Sequence, residues 1–140
     1  MNYYDTFIQI ADDSPVGAGT APAARGERPT VALIQYTLLS ERPYGYTQEE
    51  VLFETYLRHK GLEPSADERT ELWNAFFARP QACLRASPLP KQYGWGVHFD
   101  TGGKTALYGA ESEAYRAFSA NAARRLKAMR SSRASRKEIQ

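Results

Sequence analysis

The strongest constraint in the sequence is an alternation of side-chain types between residues 93 and 100, which read YGWGVHFD. Large apolar residues occupy every second position, and glycine or polar residues lie between them. Successive side chains of a β-strand point to opposite faces, so this run predicts a strand with one buried face. The turn sequence DTGG follows at 100–103, and residues 104–108 are predicted to return as the antiparallel partner.

A second strand is predicted at residues 3–11, where β-branched and aromatic residues alternate more loosely. Asp12 and Asp13 end this strand. The following residues, 14–29, are rich in Pro, Gly and Ala and contain Val16 as their only large aliphatic side chain. They can bury little apolar surface, and the sequence therefore predicts a long loop at 14–29.

Three helices are predicted between residues 30 and 80. Thr30 can cap the first helix, which should end before Pro43. The segments TQEE at 47–50 and SADE at 65–68 are capping boxes, in which hydroxyl and carboxylate groups satisfy free backbone N–H groups reciprocally. These two segments predict the starts of the second and third helices.

The remainder of the chain is predicted to hold an ordered loop, the hairpin and one more helix. Pro88 and Pro90 favour extended conformations in the residues before them, so residues 81–92 are predicted not to be helical. The last helix should begin at Glu111 and Ser112. Its inner apolar stripe is predicted to consist of Tyr115, Phe118, Ala122, Leu126 and Met129.

These elements indicate an α+β fold. The simplest arrangement is a small antiparallel three-stranded sheet, made of the N-terminal strand and the C-terminal hairpin, with about four helices packed on one face. The length of 140 residues suits one core rather than two. We therefore expect a single domain at 1–130 with its long loop at 14–29, followed by a basic tail at 131–140 that is expected to be disordered.

The scarcity of cysteine and histidine excludes several classes of protein. One Cys and two His are too few for a closed zinc site or an iron–sulfur centre, and one Cys cannot form an internal disulfide. We therefore expect no metal and no cofactor. No stretch approaches the roughly 20 apolar residues of a membrane span, and the N-terminal MNYYDTFIQIADD lacks the features of a secretory signal. The expectation is a reduced cytoplasmic protein without a membrane partner.

Positive charge is concentrated at the end of the chain. Residues 121–140 carry a net charge of +6, and the rest of the chain carries −4. The basic residues of this segment are Arg124, Arg125, Lys127, Arg130, Arg133, Arg136 and Lys137. They could give weak, non-specific contact with nucleic acid through the tail. Alternatively, they only make the end of a helix soluble.

A group of polar side chains between residues 85 and 98 is a candidate site for a small anion. Its members are Arg85, Ser87, Lys91, Tyr93 and His98. Guanidinium, ammonium and hydroxyl donors that converge suit a carboxylate or a phosphate, and Gly94 and Gly96 would leave room for it. In the alternative interpretation Arg85 pairs with a carboxylate such as Glu54 or Glu111, and the glycines only admit a helix against the sheet.

Cys83 and His98 are the one pair that could supply a thiolate nucleophile and its base. That chemistry needs the sulfur within hydrogen-bond reach of the imidazole. A free cysteine is otherwise a small buried apolar residue, so the sequence assigns no catalytic residue.

Four segments of the sequence resemble one known family. They are NYYDTFI at 2–8, PYGYT at 43–47 with LFE at 52–54, ACLRASPLPKQYGWGVHFD at 82–100 and LYGAESEAY at 107–115. The chain resembles, over about residues 1–118, a bacterial family of about 140 residues that is catalogued only as a domain of unknown function. The resemblance implies a single folded domain, and it implies no reaction, cofactor or catalytic residue.

Three hypotheses of function follow from the sequence. The first is a protein of uncharacterised function that binds a small anionic ligand or a partner at the loop and hairpin from Arg85 to His98. The second is weak, non-specific association with nucleic acid through the basic tail. The third is an enzyme that uses Cys83 or His98.

Overall fold

A computed structural model describes residues 1–131 of the chain. The described residues form four strands and five α-helices. In chain order these are β1 (Thr6–Gln9), α1 (Val31–Glu41), α2 (Gln48–Lys60), α3 (Ala66–Phe77), α4 (Pro88–Gln92), β2 (Trp95–Phe99), β3 (Thr105–Gly109), α5 (Glu113–Asn121) and β4 (Arg124–Lys127). A short 3-10 turn at Leu84–Ala86 precedes α4. The class is α+β, as the sequence predicts.

The strands form one mixed sheet in the order β3-β2-β1-β4. The predicted hairpin is confirmed, since β2 and β3 pair in antiparallel register with Val97 opposite Leu107. The N-terminal strand β1 pairs antiparallel to β2, with Phe7 opposite His98. On its other side β1 pairs with β4 in parallel, and this fourth strand was not predicted.

Helices cover both faces of the sheet. On one face, Ile8, Val97 and Phe99 join a core supplied by α1, α2, α4 and the 3-10 turn. On the other face, Phe7 packs against Tyr115 of α5, with ring centroids 5.1 Å apart. The expectation of helices on one face is wrong because Phe7 is as fully buried as Ile8, its neighbour on the opposite face of β1. A strand that is apolar on both faces needs cover on both.

The predicted helix starts are confirmed. Thr30 accepts a hydrogen bond from the backbone N–H of Leu33 and caps α1. Both capping boxes form, at Thr47 before α2 and at Ser65 before α3. Helix α2 ends at Gly61, whose φ of 69° is the left-handed conformation that glycine adopts without strain.

The prediction that residues 81–92 contain no helix is wrong. Ser87 is extended, as expected for a residue before proline, but it serves as the N-cap of α4. Pro88 then occupies the first helical position, where a missing N–H costs nothing. The Ser87 hydroxyl accepts a hydrogen bond from the backbone N–H of Leu89 and fixes the start of the helix.

The predicted last helix is shorter than its apolar stripe suggests. Helix α5 ends at Asn121, and Ala122 is extended, so Leu126 and Met129 do not lie on it. The chain instead runs into β4, where Leu126 packs against the core. Charged side chains on an exposed edge strand discourage pairing with other chains, which explains why β4 lacks a strand-like sequence pattern.

The loop at 14–29 has no helix or strand and is held against the hairpin by hydrogen bonds. The backbone N–H of Thr20 donates to the Tyr93 carbonyl at 2.8 Å, and the Trp95 indole donates to the Thr20 carbonyl at 2.9 Å. No helix in residues 1–131 combines the length and apolar character that a membrane crossing requires. Most of the predicted basic tail, residues 132–140, lies outside the described part of the chain.

Candidate binding cleft

A cleft of about 260 Å³ lies between α1, α2, the end of α3 and the segment 81–88. Its walls are mainly apolar and include Val31, Leu52, Phe76 and Pro88. The described residues that line it include no Lys, Arg, Asp or Glu, and His59 is the one histidine among them. We call this the binding cleft, because small-molecule sites are concave and largely apolar with a few placed polar groups.

The polar groups of the cleft centre on Gln35 and Ser87, which are 4% and 6% exposed. The Ser87 hydroxyl donates to Oε1 of Gln35 at 2.6 Å and accepts from the Leu89 N–H. Its single hydrogen is thereby committed to Gln35, so the Gln35 oxygen faces Ser87 and the amide nitrogen faces away.

The amide nitrogen of Gln35 has no hydrogen-bond partner among residues 1–131. Two side-chain atoms of those residues are fully enclosed and have no hydrogen-bond partner, Thr105 Oγ1 and Ser119 Oγ. The amide nitrogen of Gln35 is not one of them. Gln35 lines the cleft, so this unpaired Nε2 is a candidate donor for a bound molecule. The neighbouring Thr55 hydroxyl donates to the Val51 carbonyl at 2.6 Å and offers only its lone pairs.

Cys83 also lines the cleft, and its sulfur accepts a hydrogen bond from the Tyr3 hydroxyl at 3.4 Å. Burial and this hydrogen bond raise the pKa of Tyr3. His98 lies elsewhere, on the face of the sheet covered by α5, where its ring stacks on Phe118 at 3.9 Å. The structure therefore does not bring Cys83 and His98 together. Residues 1–131 contain no group of three His, Cys, Asp or Glu that could hold a metal ion.

The five residues proposed for an anion site are not gathered at one place. Ser87 lines the cleft, whereas Tyr93 packs against the core and Lys91 is partly exposed on α4. The Arg85 side chain donates from Nε to the Lys127 carbonyl at 2.8 Å and holds the 3-10 turn against β4. His98 is on the opposite face of the sheet.

The carboxylate partners suggested for Arg85 are engaged elsewhere. Glu54 pairs with Arg69 of α3, and Glu111 accepts a hydrogen bond from the Gly19 backbone at 2.8 Å. That backbone contact lowers the pKa of Glu111. The observed partner of Arg85 is instead a backbone carbonyl of the unpredicted strand β4.

The space beside Gly96 is filled by the protein itself. A Cβ at this position would lie 2.5 Å from Cζ of Phe7 and 2.7 Å from Cδ2 of Tyr115. The missing side chain therefore lets α5 approach the sheet. This is the interpretation that the sequence offered as the alternative to a ligand strip.

A second polar cluster, which the sequence did not single out, surrounds His98. The Tyr44 hydroxyl lies 2.8 Å from Nδ1 of His98 and 2.8 Å from the Tyr108 hydroxyl. Burial lowers the pKa of His98, while Asp100 and Asp5 act in the opposite direction. Burial and the contact with Tyr108 raise the pKa of Tyr44, whose φ of 58° is a strained, left-handed conformation.

The basic residues that the structure describes near the C-terminus contact other parts of the chain. Lys127 and Arg130 both pair with Asp12, and Lys127 lowers the pKa of that carboxyl. Arg125 donates to the Ser119 carbonyl at 2.8 Å, and Arg124 lies 5.7 Å from the centre of the Tyr3 ring. The remaining three, Arg133, Arg136 and Lys137, lie outside the described residues.

The fold and the cleft together define an α+β protein with a mixed four-stranded sheet, helices on both faces and a mainly apolar cleft beside a buried amide. The model of the family of unknown function DUF6157 matches residues 1–134, and the chain belongs to this family. This confirms the resemblance found in the sequence. No curated protein and no solved structure matches the chain.

Proposed function

We propose that the chain binds a small, mainly apolar molecule with one hydrogen-bond acceptor in the binding cleft. The observation that carries this proposal is the unpaired Nε2 of Gln35 in a cavity whose walls are mainly apolar. Because Nε2 is not fully enclosed, water can reach it in the free protein, and a ligand acceptor that replaces that water gains about 1 kcal/mol, the net value of one hydrogen bond. A carbonyl or ether oxygen is the simplest group that supplies it.

The charge of the cleft favours a neutral binding group over the small anion expected from residues 85–98. The described residues that line the cavity include no Lys or Arg and have His59 as their one basic side chain, and of the five residues proposed for the anion only Ser87 is among them. An anion in a cavity without Lys or Arg would lose its hydration without the ion pair that a permanently charged side chain provides. The proposal therefore keeps the binding role inferred from the sequence and changes the chemistry of the ligand.

Two matched probes test the proposal. Acetophenone and ethylbenzene have similar shapes, but only acetophenone carries an acceptor. We expect calorimetry to show that acetophenone binds about fivefold more tightly, which corresponds to one hydrogen bond of about 1 kcal/mol. Replacement of Gln35 by Met keeps the side-chain length and removes the donor, so the preference should disappear.

The control variant is Gln92→Met, because Gln92 is exposed at the end of α4 and does not line the cleft. It should retain the preference for acetophenone. A chain that binds neither probe, or binds both equally well before Gln35 is replaced, contradicts the proposal.

A further inference from the structure

The polar cluster around His98 borders a cavity that is separate from the binding cleft. We call it the side cavity, and its volume is about 240 Å³. The described residues that line it are Asp5, His98, Phe118, Asn121, Ala122 and Ala123. None of these residues lines the binding cleft, so a molecule bound here makes its contacts independently of Gln35.

The imidazole of His98 is held in place at the wall of the side cavity. Its ring stacks on Phe118 with the centroids 3.9 Å apart and the planes at 20°. Its Nδ1 lies 2.8 Å from the Tyr44 hydroxyl. Its Nε2 has no hydrogen-bond partner among residues 1–131 and is not one of their fully enclosed unpaired atoms. Nε2 is therefore the ring nitrogen left for water or for a bound molecule.

His98, Tyr44 and Tyr108 form a chain of hydrogen bonds that can run in two directions, since the two hydroxyls are also 2.8 Å apart. In one direction Tyr108 donates to Tyr44, Tyr44 donates to Nδ1, and the hydrogen of the neutral imidazole is on Nε2. In the other direction Nδ1 donates to Tyr44, Tyr44 donates to Tyr108, and Nε2 is a bare acceptor. The direction of the chain therefore decides whether Nε2 donates or accepts.

The surroundings of the side cavity favour a ligand that donates a hydrogen bond. The exposed carboxylate of Asp5 can only accept, and the described lining residues include no Lys or Arg. The last turn of α5 has no basic residue to balance the negative end of the helix. Phe118, Ala122 and Ala123 supply apolar contacts. A small aromatic molecule with a hydroxyl group meets both conditions.

We propose that the side cavity binds a small phenol whose hydroxyl donates to Nε2 of His98, and that this contact sets the direction of the tyrosine chain. When the chain reverses, Nε2 gives its proton to water, and Nδ1 takes the proton of Tyr44. Tyr44 takes the proton of Tyr108, and the half-buried Tyr108 takes one from water. One proton enters and one leaves, so the imidazole stays neutral and the phenol keeps its proton.

Phenol and anisole test this proposal, because anisole can accept a hydrogen bond but cannot donate one. Long-range ¹H–¹⁵N spectra at pH 7.5 report which nitrogen of His98 carries the hydrogen. A saturating titration with phenol should move His98 toward the form with a bare Nε2. The same titrations should show that phenol binds about fivefold more tightly than anisole, the effect of one hydrogen bond.

Tyr108→Phe removes the acceptor at the end of the chain. Tyr44 then donates to Nδ1, the hydrogen of His98 stays on Nε2, and the preference for phenol should disappear. Tyr46→Phe is the matched control, because the Tyr46 hydroxyl contacts Arg42 and is not part of the chain. It should keep both the preference and the shift of His98. Thermal unfolding checks that each variant keeps its fold.

The comparison of phenol with anisole in the natural chain needs no variant and can refute the proposal alone. A His98 ring that phenol leaves unchanged, or equal binding of phenol and anisole, would show that Nε2 does not accept from the ligand. A preference for phenol that persists in folded Tyr108→Phe would show that the tyrosine chain does not set it.

Discussion

The hydroxyl of Tyr44 lies 2.8 Å from Nδ1 of His98 and joins the segment before α2 to the middle of the sheet. The same hydroxyl reaches Tyr108 on β3, and Phe118 of α5 stacks on the imidazole ring. The imidazole is therefore held by groups from three parts of the chain. Its environment favours the neutral ring because burial lowers the pKa of His98.

This lowered pKa predicts a loss of stability in mild acid. The unfolded chain takes up a proton on His98 near pH 6.5, whereas the folded chain does so only at a lower pH. Between these two values the unfolded state binds more protons, so stability falls as the pH drops through this window and levels off below it. Above the pKa of His98 in the unfolded chain, the neutral imidazole makes its full contribution to stability.

The measurement is urea unfolding between pH 7.5 and pH 5, for the natural chain and for His98→Asn. Asn can accept the Tyr44 hydrogen bond and does not titrate. We expect the variant to be less stable at pH 7.5 and to lose less stability over the range. An identical pH dependence in both proteins would show that His98 is not the group responsible.

Gly96→Ala should destabilise the protein by about 1–3 kcal/mol, because the added methyl group overlaps two aromatic rings in a packed layer. Those rings belong to Phe7 and Tyr115. Gly17→Ala is the control, since a Cβ there meets nothing within 4 Å, and it should change stability little. A Gly96→Ala protein as stable as this control would mean that α5 does not pack closely on the sheet.

Arg85→Ala should cost about 1 kcal/mol, because it removes one partly exposed hydrogen bond to the Lys127 carbonyl. A buried ion pair at this position would cost about 3–5 kcal/mol when broken. Arg85 has no carboxylate within ion-pair distance among residues 1–131, so the larger loss is not expected. Denaturant unfolding distinguishes a stability loss of about 1 kcal/mol from one of about 3–5 kcal/mol. The larger loss would refute the observed role of Arg85.

A chain that ends after Arg130 should melt within about 3 °C of the full chain. Residues 131–140 contain only Ala134 and Ile139 as apolar side chains. The truncation also removes the hydrogen bond from the Ser131 backbone to Asp13, which is exposed. A much larger drop in melting temperature would show that the removed segment packs on the domain or on another subunit.

The elements that could be predicted from the sequence are those that depend on neighbouring residues. The capping boxes at Thr47 and Ser65 are closed by hydrogen bonds over three residues, and the hairpin is set by its turn and its alternation. Strand β4 could not be predicted this way. Its RRLK sequence has one apolar residue, Leu126, and its pairing with β1 joins opposite ends of the chain.

The candidate site was predicted only in part, for the same reason. Ser87 was selected for its hydroxyl, but Gln35, Thr55 and Phe76 come from three helices that only the tertiary fold brings beside it. Gln35 had one signal that could have been used, since it is a polar residue on the apolar face of α1 beside Ile34 and Leu38. In the structure the oxygen of this amide is paired with Ser87, and its nitrogen has no partner among residues 1–131.

The most direct test of the cleft is the side-chain amide resonance of Gln35 in a ¹H–¹⁵N spectrum recorded during titration with acetophenone. If Nε2 donates to the ligand, this resonance should shift and saturate together with the backbone signals of residues 81–88. The side-chain amide of Gln92, outside the cleft, should stay in place. Saturable binding that leaves the Gln35 amide unmoved, or a titration that never saturates, would contradict the account.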